Sequence, residues 1–277
     1  MKRLYLSAPL PFVGQKRMFA KEFRKVLDQI PDGTTFVDLF GGSGLLSHIA
    51  KYDKPHSEVV YNDFDGYRRR LEHIPQTNEL LAELRDIVRD VPRYKAITGE
   101  TREHVFGCLL QHEKRYGYID FITVSSSIMF SAKYCLSIDD MRKEALYNKV
   151  RSSDYSECPD YLDGLTIVSK DYKQLFKEYR DKPDVVFLVD PPYLGTEVGT
   201  YKMFWKLADY LDVLKVLQGH AYIYFTSNKS SIIELCEWLG QNRDMGNPFE
   251  HSTRVEFKAQ MNYNASYTDM MLYKNAG

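Results

Sequence analysis

The chain has 277 residues, 44% of them hydrophobic and 27% charged, with a formal net charge of −1. That composition describes a globular chain, long enough for one large domain or one domain carrying a sizeable insertion, and it excludes a disordered one. Near-neutral charge argues against a uniformly basic nucleic-acid binder and leaves room for a local basic cleft.

In chain order, the start Met1-Lys2-Arg3-Leu4-Tyr5-Leu6 is basic and then briefly apolar. Pro9 and Pro11 interrupt it before a signal-peptide h-region can develop. No later apolar run approaches the roughly 18 residues of a membrane span, so no membrane partner is expected. Residues 35–40 (Thr-Phe-Val-Asp-Leu-Phe) predict a strand, the Gly41-Gly42-Ser43-Gly44 turn follows, and 45–51 have helical character. Residues 58–61 predict a second strand ending at Asn62-Asp63. Residues 66–163 then break the alternation. Leu80, Leu81, Leu84, Ile87, Val88 and Val91 mark one helix face with Thr77 as its N-cap, and Ser137-x-x-Asp140 resembles a capping box. Alternation resumes with strands at 165–168, 185–189 and 221–226 and helices at 172–179, 204–217 and 231–239. Two last segments, 253–259 and 268–273, flank Met261-Asn262-Tyr263-Asn264 as an antiparallel hairpin.

Strand–helix alternation of this kind predicts the α/β class: a mostly parallel sheet with helices on both faces and a C-terminal antiparallel hairpin. The expected domains are 1–65 with 164–277, and a mostly helical insertion at 66–163. Cys108, Cys135, Cys158 and Cys236 form no CxxC pair, and the seven histidines show no HExxH-type spacing. Reduced thiols in a cytoplasmic protein, with no metal site, are the expectation.

Open α/β sheets bind ligands just beyond the C-terminal ends of their strands. Asp190-Pro191-Pro192-Tyr193 stands at such an end, after the apolar run 185–189. A carboxylate and a proline carbonyl accept two N–H bonds, and an aromatic ring covers a planar face, so the set suits an amino group on a flat ring. The turn after the first strand fits FxGxG: glycines admit positive φ and close approach of a ligand, and the following helix N-terminus accepts a carboxylate or phosphate. It departs from the dinucleotide pattern GxGxxG, which would need glycine where Ser47 stands. Taken alone, such a turn is also compatible with plain chain reversal. Asp63, at the end of the second strand, reads either as a helix N-cap or as a ligand for ribose hydroxyls. The two features together favour a nucleoside-containing cofactor.

With Phe40-x-Gly42-x-Gly44 first and Asp190-Pro191-Pro192-Tyr193 about 150 residues later, the chain resembles the S-adenosylmethionine-dependent amino methyltransferases. Its order of elements is similar to the alpha group of DNA N6-adenine methyltransferases, the Dam-type D12 class. Phe12-Val13-Gly14-Gln15-Lys16 resembles that family's aromatic-x-Gly-x-Lys opening, Tyr224 to Asn228 its strand ending in Ser-Asn, and Arg254 with the last hairpin its C-terminal end. The family opening usually carries Trp and a second Gly where Phe12 and Gln15 stand, and its Phe-Asn-Gly-x-x-Arg-like stretch is missing from the insert.

The resemblance implies a Rossmann-like methyltransferase fold with a target-recognition insertion. It implies methyl transfer from S-adenosylmethionine to a flipped-out adenine in double-stranded DNA at a specific site, with restriction–modification and a cognate restriction endonuclease as a possible setting. Asp190, Pro191, Pro192 and Tyr193 would be catalytic. Phe12, Gly14, Lys16, Asp38, Phe40, Gly41, Gly42, Ser43, Gly44, Asp63, Asp171, Tyr172 and Asp190 would hold the cofactor. Asp171 reads equally well as the N-cap of the helix at 172–179. Arg68, Arg69, Lys133, Tyr134 and Lys202 are candidate DNA contacts, although a run such as Arg68-Arg69-Arg70 is more often a solvated helix face. Competing readings are an N4-cytosine methyltransferase and an inactive nucleic-acid-binding module on the same fold. RNA adenine or glutamine side chains suit similar clefts, and glutamine enzymes usually carry Asn in place of Asp190.

Overall fold

The computed structural model describes residues 3–130, 133–192, 207–228, 230–241, 247–262 and 265–274. Tyr193 and Lys202 lie outside them. After a 3-10 turn at Arg17–Phe19 come α1 (Ala20–Asp28), β1 (Thr35–Asp38), α2 (Leu45–Asp53) and β2 (Val59–Asn62). The next stretch holds α3 (Tyr67–Glu72), α4 (Ile74–Ile87), β3 (Ala96–Ile97), α5 (Gly99–Tyr116), α6 (Phe121–Ile128), α7 (Ile138–Arg142) and β4 (Leu146–Tyr147). Then follow β5 (Thr166–Val168), α8 (Tyr172–Tyr179), β6 (Val185–Val189), α9 (Leu207–Leu217), β7 (Ala221–Ser227), α10 (Ile232–Gln241), β8 (Thr253–Asn262) and β9 (Ala265–Lys274).

Among the described residues the main sheet has the order β5-β2-β1-β6-β7-β9-β8. β5, β2, β1, β6 and β7 pair in parallel, and β9 and β8 close the sheet antiparallel. β1, β6 and β7 are buried almost without interruption, as parallel strands covered on both faces are. Within them, successive side chains still part to opposite sides. Phe36, Val186, Leu188, Ile223 and Phe225 pack with α1 and α2, while Val37, Phe187, Val189, Tyr222 and Tyr224 pack with α8, α9 and α10. Strand order runs outward in two directions from the β1–β6 pair. That is the topological switch point of a doubly wound Rossmann-like sheet, where a crevice opens beyond the strand ends.

The chain divides into two compact units. One comprises Met1–Ser7, Lys16–Gly66 and Asp160–Gly277 and contains the sheet. The other comprises Ala8–Gln15 and Tyr67–Pro159. Its own core joins Leu80, Leu81 and Leu84 of α4 with Val105, Phe106 and Leu109 of α5 and with Val124 and Ile128 of α6. Ser137 caps α7 as expected, accepting from the Asp140 amide at 3.1 Å. Thr77 does not cap α4; it lies inside the helix, whose N-cap is His73. Pro75 explains the earlier start: a proline fits the first turn, where its missing N–H is not needed.

Candidate active site

The glycine turn forms because β2 leaves no room beside it. A Cβ on Gly41 would stand 2.3 Å from the Tyr61 ring and 2.7 Å from the Asn62 carbonyl. Gly44 adopts φ +70° as the N-cap of α2, and its amide donates to the Gly41 carbonyl at 2.7 Å. Asn62 ties three strand ends together: its Nδ2 donates to the carbonyls of Leu39 (3.0 Å) and Lys170 (2.9 Å), and its Oδ1 accepts from the Lys170 amide at 2.9 Å. The buried Tyr61 hydroxyl lies 2.9 Å from the Gly42 carbonyl and 3.0 Å from Asp63 Oδ1. Burial, then the charge of Asp63, keeps this phenol protonated far above its ordinary range. Asp63 is itself buried at the end of β2.

On the neighbouring strand ends Asp38 and Asp190 both feel the Lys16 ammonium, and Asp269 acts on Asp190. Lys16 Nζ sits 2.6 Å from Asp190 Oδ2, just beyond β6. Burial raises the Asp190 carboxyl above its ordinary range, Lys16 pulls it back, and Asp269 of β9 pushes it further up. Asp38, at the end of β1, is 1% exposed. Its Oδ2 accepts from Ser47 Oγ at 2.7 Å, while its Oδ1 has no hydrogen-bond partner. Burial pushes Asp38 up to about 7, with Asp190 adding to the rise and Ser47, the Phe40 amide and Lys16 opposing it. Pro191 and Pro192, both buried, follow Asp190 without an N–H to donate, so the motif presents only acceptors.

The D12 class N6 adenine-specific DNA methyltransferase model matches residues 12–219. The chain belongs to this family. A Haemophilus influenzae relative named "Putative methyltransferase" is 36% identical over 281 residues, spanning 99% of this chain and 94% of the relative. An rRNA methylase structure from Streptococcus thermophilus overlaps 92% of this chain and 96% of its own at 10% identity, with a TM-score of 0.35. The family reaction is methylation of adenine N6 in DNA. The methyltransferase therefore acts on DNA and requires a methyl donor.

The other residues expected to serve the methyltransferase have the following partners. Asp171 is exposed and caps α8, its Oδ1 accepting from the Lys173 amide at 2.8 Å. Tyr172 is buried, donates to the Asp209 carbonyl at 3.0 Å, and packs 4.9 Å from the Phe40 ring. Phe12 and Gly14 belong to the helical unit, where Phe12 meets Tyr67 edge-on at 5.7 Å and Gly14 takes φ +76°. Arg68 pairs with Glu72 along α3 at 2.9 Å, and Arg69 lies over the Tyr118 ring at 4.4 Å. Lys133 is ion-paired with Glu144, and the half-buried Tyr134 phenol is pushed up by desolvation. No helix among the described residues is long and apolar enough to cross a membrane.

Arg70 departs from the solvated helix face expected of the Arg68-Arg69-Arg70 run. It is buried, with Nε 2.9 Å from Asp120 Oδ1 and Nη2 2.7 Å from the Pro11 carbonyl. Its spacing was the available signal: Tyr67, Arg70 and Ile74 fall on one helical stripe, and both flanking residues are buried. Asp269 was passed over because only β7–β9 pairing, opposite Ser227, brings it to this end of the sheet.

Proposed function

We propose that the methyltransferase takes its methyl group from S-adenosylmethionine and delivers it to N6 of an adenine turned out of a DNA duplex, with Asp190 and the Pro191 carbonyl accepting the two amino hydrogens. The observation that carries this reading is Asp190 itself: a carboxylate held 2.6 Å from Lys16 at the switch point of the sheet, with the Gly41–Gly44 turn and Asp63 on adjoining strand ends. The surrounding residues fit the donor. The turn is a cradle that a Cβ would fill at Gly41. Asp63 offers a carboxylate suited to ribose hydroxyls. The open Oδ1 of Asp38 is an acceptor of the kind an α-ammonium group needs.

S-adenosylmethionine supplies an electrophilic methyl group on a sulfonium. The chain's own residues supply alignment. The amine of adenine is a poor nucleophile because its lone pair is conjugated into the ring. Accepting both N–H bonds favours the geometry in which that lone pair leaves conjugation, and these bonds strengthen as attack proceeds. Asp190 need not take a full proton, since N6 becomes acidic only once transfer is advanced. Lys16 opposes the upward push of burial on this carboxylate and so favours its ionised, strongly accepting form. Tyr193 would stack on the base, offsetting part of the few kcal/mol that extrusion from the duplex costs. Reading of double-stranded DNA falls to the helical insertion, with Arg68, Arg69, Lys133 and Tyr134 as its candidate contacts.

Incubation with mixed-sequence DNA and methyl-labelled S-adenosylmethionine, followed by nucleoside mass analysis, tests the assignment. N6-methyladenine is expected; recovery of 4-methylcytosine alone would overturn it. Asp190→Ala should lower turnover at least about a hundredfold while leaving donor affinity within a few-fold. A variant that kept most of its turnover would remove the role given to this carboxylate.

A further inference from the structure

The carbonyls of the glycine turn are gripped by two phenols. Tyr61 reaches the Gly42 carbonyl, and Tyr161 Oη donates to the Ser43 carbonyl at 3.0 Å. A trans peptide is planar, with its N–H opposite its C=O. Fixing the carbonyls of Gly42 and Ser43 therefore fixes the direction of the Ser43 and Gly44 amides; the Gly44 amide closes the turn on the Gly41 carbonyl, so these two peptide planes set the shape that a ligand on this turn would meet.

Tyr161 is held unusually firmly. It is fully buried, and its ring stacks on His48 at 4.9 Å with a 12° tilt. Its own carbonyl lies 2.7 Å from His48 Nδ1. The Tyr5 amide donates to His48 Nε2 at 3.0 Å, so Nε2 carries the lone pair and Nδ1 the proton. Tyr5 Oη then donates to Asp160 Oδ1 at 2.8 Å, next door to Tyr161. Leu162 adds a second hold, since a Cβ on Gly44 would come within 3.1 Å of it. Packing does not require the hydroxyl: phenylalanine would stack on His48 as well. What the hydroxyl adds is a partner for a buried carbonyl in the turn.

We propose that Tyr161 is a positioning residue for the methyl donor: its phenol sets the peptide planes of the Gly41–Gly44 turn and so the affinity for the donor, without touching donor or DNA. The proposal rests on the reading of this turn as the donor site.

Titration calorimetry with S-adenosylmethionine tests it. Tyr161→Phe should raise the donor Kd about tenfold, a loss in line with one net hydrogen bond. At saturating donor and DNA its kcat should stay within about twofold of the parent, because the reacting groups are untouched. Tyr222→Phe is the control. It deletes an equally buried phenol, bonded to the Pro248 carbonyl at 3.0 Å and not to the turn, and should leave donor affinity unchanged. Leu162→Ala, which unpacks the same segment from Gly44 and spares the His48 stack, should weaken donor binding about three- to tenfold and decides the matter if Tyr161→Phe does not fold. A Tyr161→Phe Kd within twofold of the parent, or an equal loss in Tyr222→Phe, overturns the proposal. Asp63→Ala separates it from the reading beneath: undiminished binding there removes the donor site itself. Weakened binding there, with Tyr161→Phe and Leu162→Ala unaffected, removes only the positioning role.

Discussion

Asp38 concentrates the electrostatics of the site in one side chain. Its carboxyl stands at about 7 in the folded chain, raised first by burial, with Asp190 adding to the rise and Lys16 opposing it. The folded state therefore binds this proton more tightly than the unfolded chain does. Asp38 contributes its stability in full below about pH 4, and the contribution is lost as pH rises through 7. Asp38→Asn removes that dependence. Thermal melts from pH 4 to 8 should show the variant gaining on the parent by a few kcal/mol, or roughly 5–10 °C, toward the alkaline end. A slope remains in both proteins because Asp190 is raised for the same reason. A variant that lost ground with rising pH would sink this account. The acids of this cluster differ in how readable they were. Asp63 and Asp190 follow apolar runs that announce strand ends, so their place was open to inspection, whereas Asp38 falls inside the strand expected at 35–40 and ends β1 in the structure. Asp269 sits mid-strand, and only register brings it here.

At the scale of elements, α3 shows what a short charged run conceals. Arg68 and Arg69 are accounted for locally, by Glu72 and by the Tyr118 ring. Arg70 turns inward to Asp120, which also caps α6 by accepting from the Thr123 amide at 3.2 Å. Arg70 Nη1 has no partner, so the pair is not optimised for stability. Removing one member of a buried pair strands the other. Asp120→Ala should cost about 3–5 kcal/mol in urea unfolding, whereas the apolar double variant Arg70→Met with Asp120→Leu should recover most of that loss. Equal destabilisation of both variants would show that the charges themselves hold the helices. Period and capping signals were enough to find α4 and α7, and α5 went unmarked. They failed at the start of α4, where Thr77 is a good capping residue but Pro75 already belongs to the first turn.

Over the whole molecule, the parallel sheet was legible because each of its strands is an apolar run followed by a helical period. The helical insertion was legible as the place where that alternation stops. The membership of residues 8–15 was not. In sequence, Phe12 to Lys16 is one motif, yet Leu10 is held by the Tyr67 hydroxyl and Pro11 by Arg70. Lys16 is paired with Asp190. Side chains far along the chain decide where such a strap goes, and no local pattern encodes them.

The register of β1 against β6, Thr35 opposite Val185, sets a timetable for synthesis. The centre of the sheet lacks one of its two neighbours until roughly 150 more residues have left the ribosome. Everything in the helical unit is available by Pro159. Domains fold as units during translation, so the helical unit should mature first, while β1 and β2 wait with apolar faces uncovered. Nascent chains arrested with residue 159 clear of the exit tunnel should resist protease over 67–159 and be cut within 35–62. Protection of 35–62 should appear only once 185–189 have emerged; its earlier appearance would refute this order. A ribosome pausing between these two points would hold out a finished helical unit on an unfinished sheet, and that interval is where chaperones or aggregation would claim the chain.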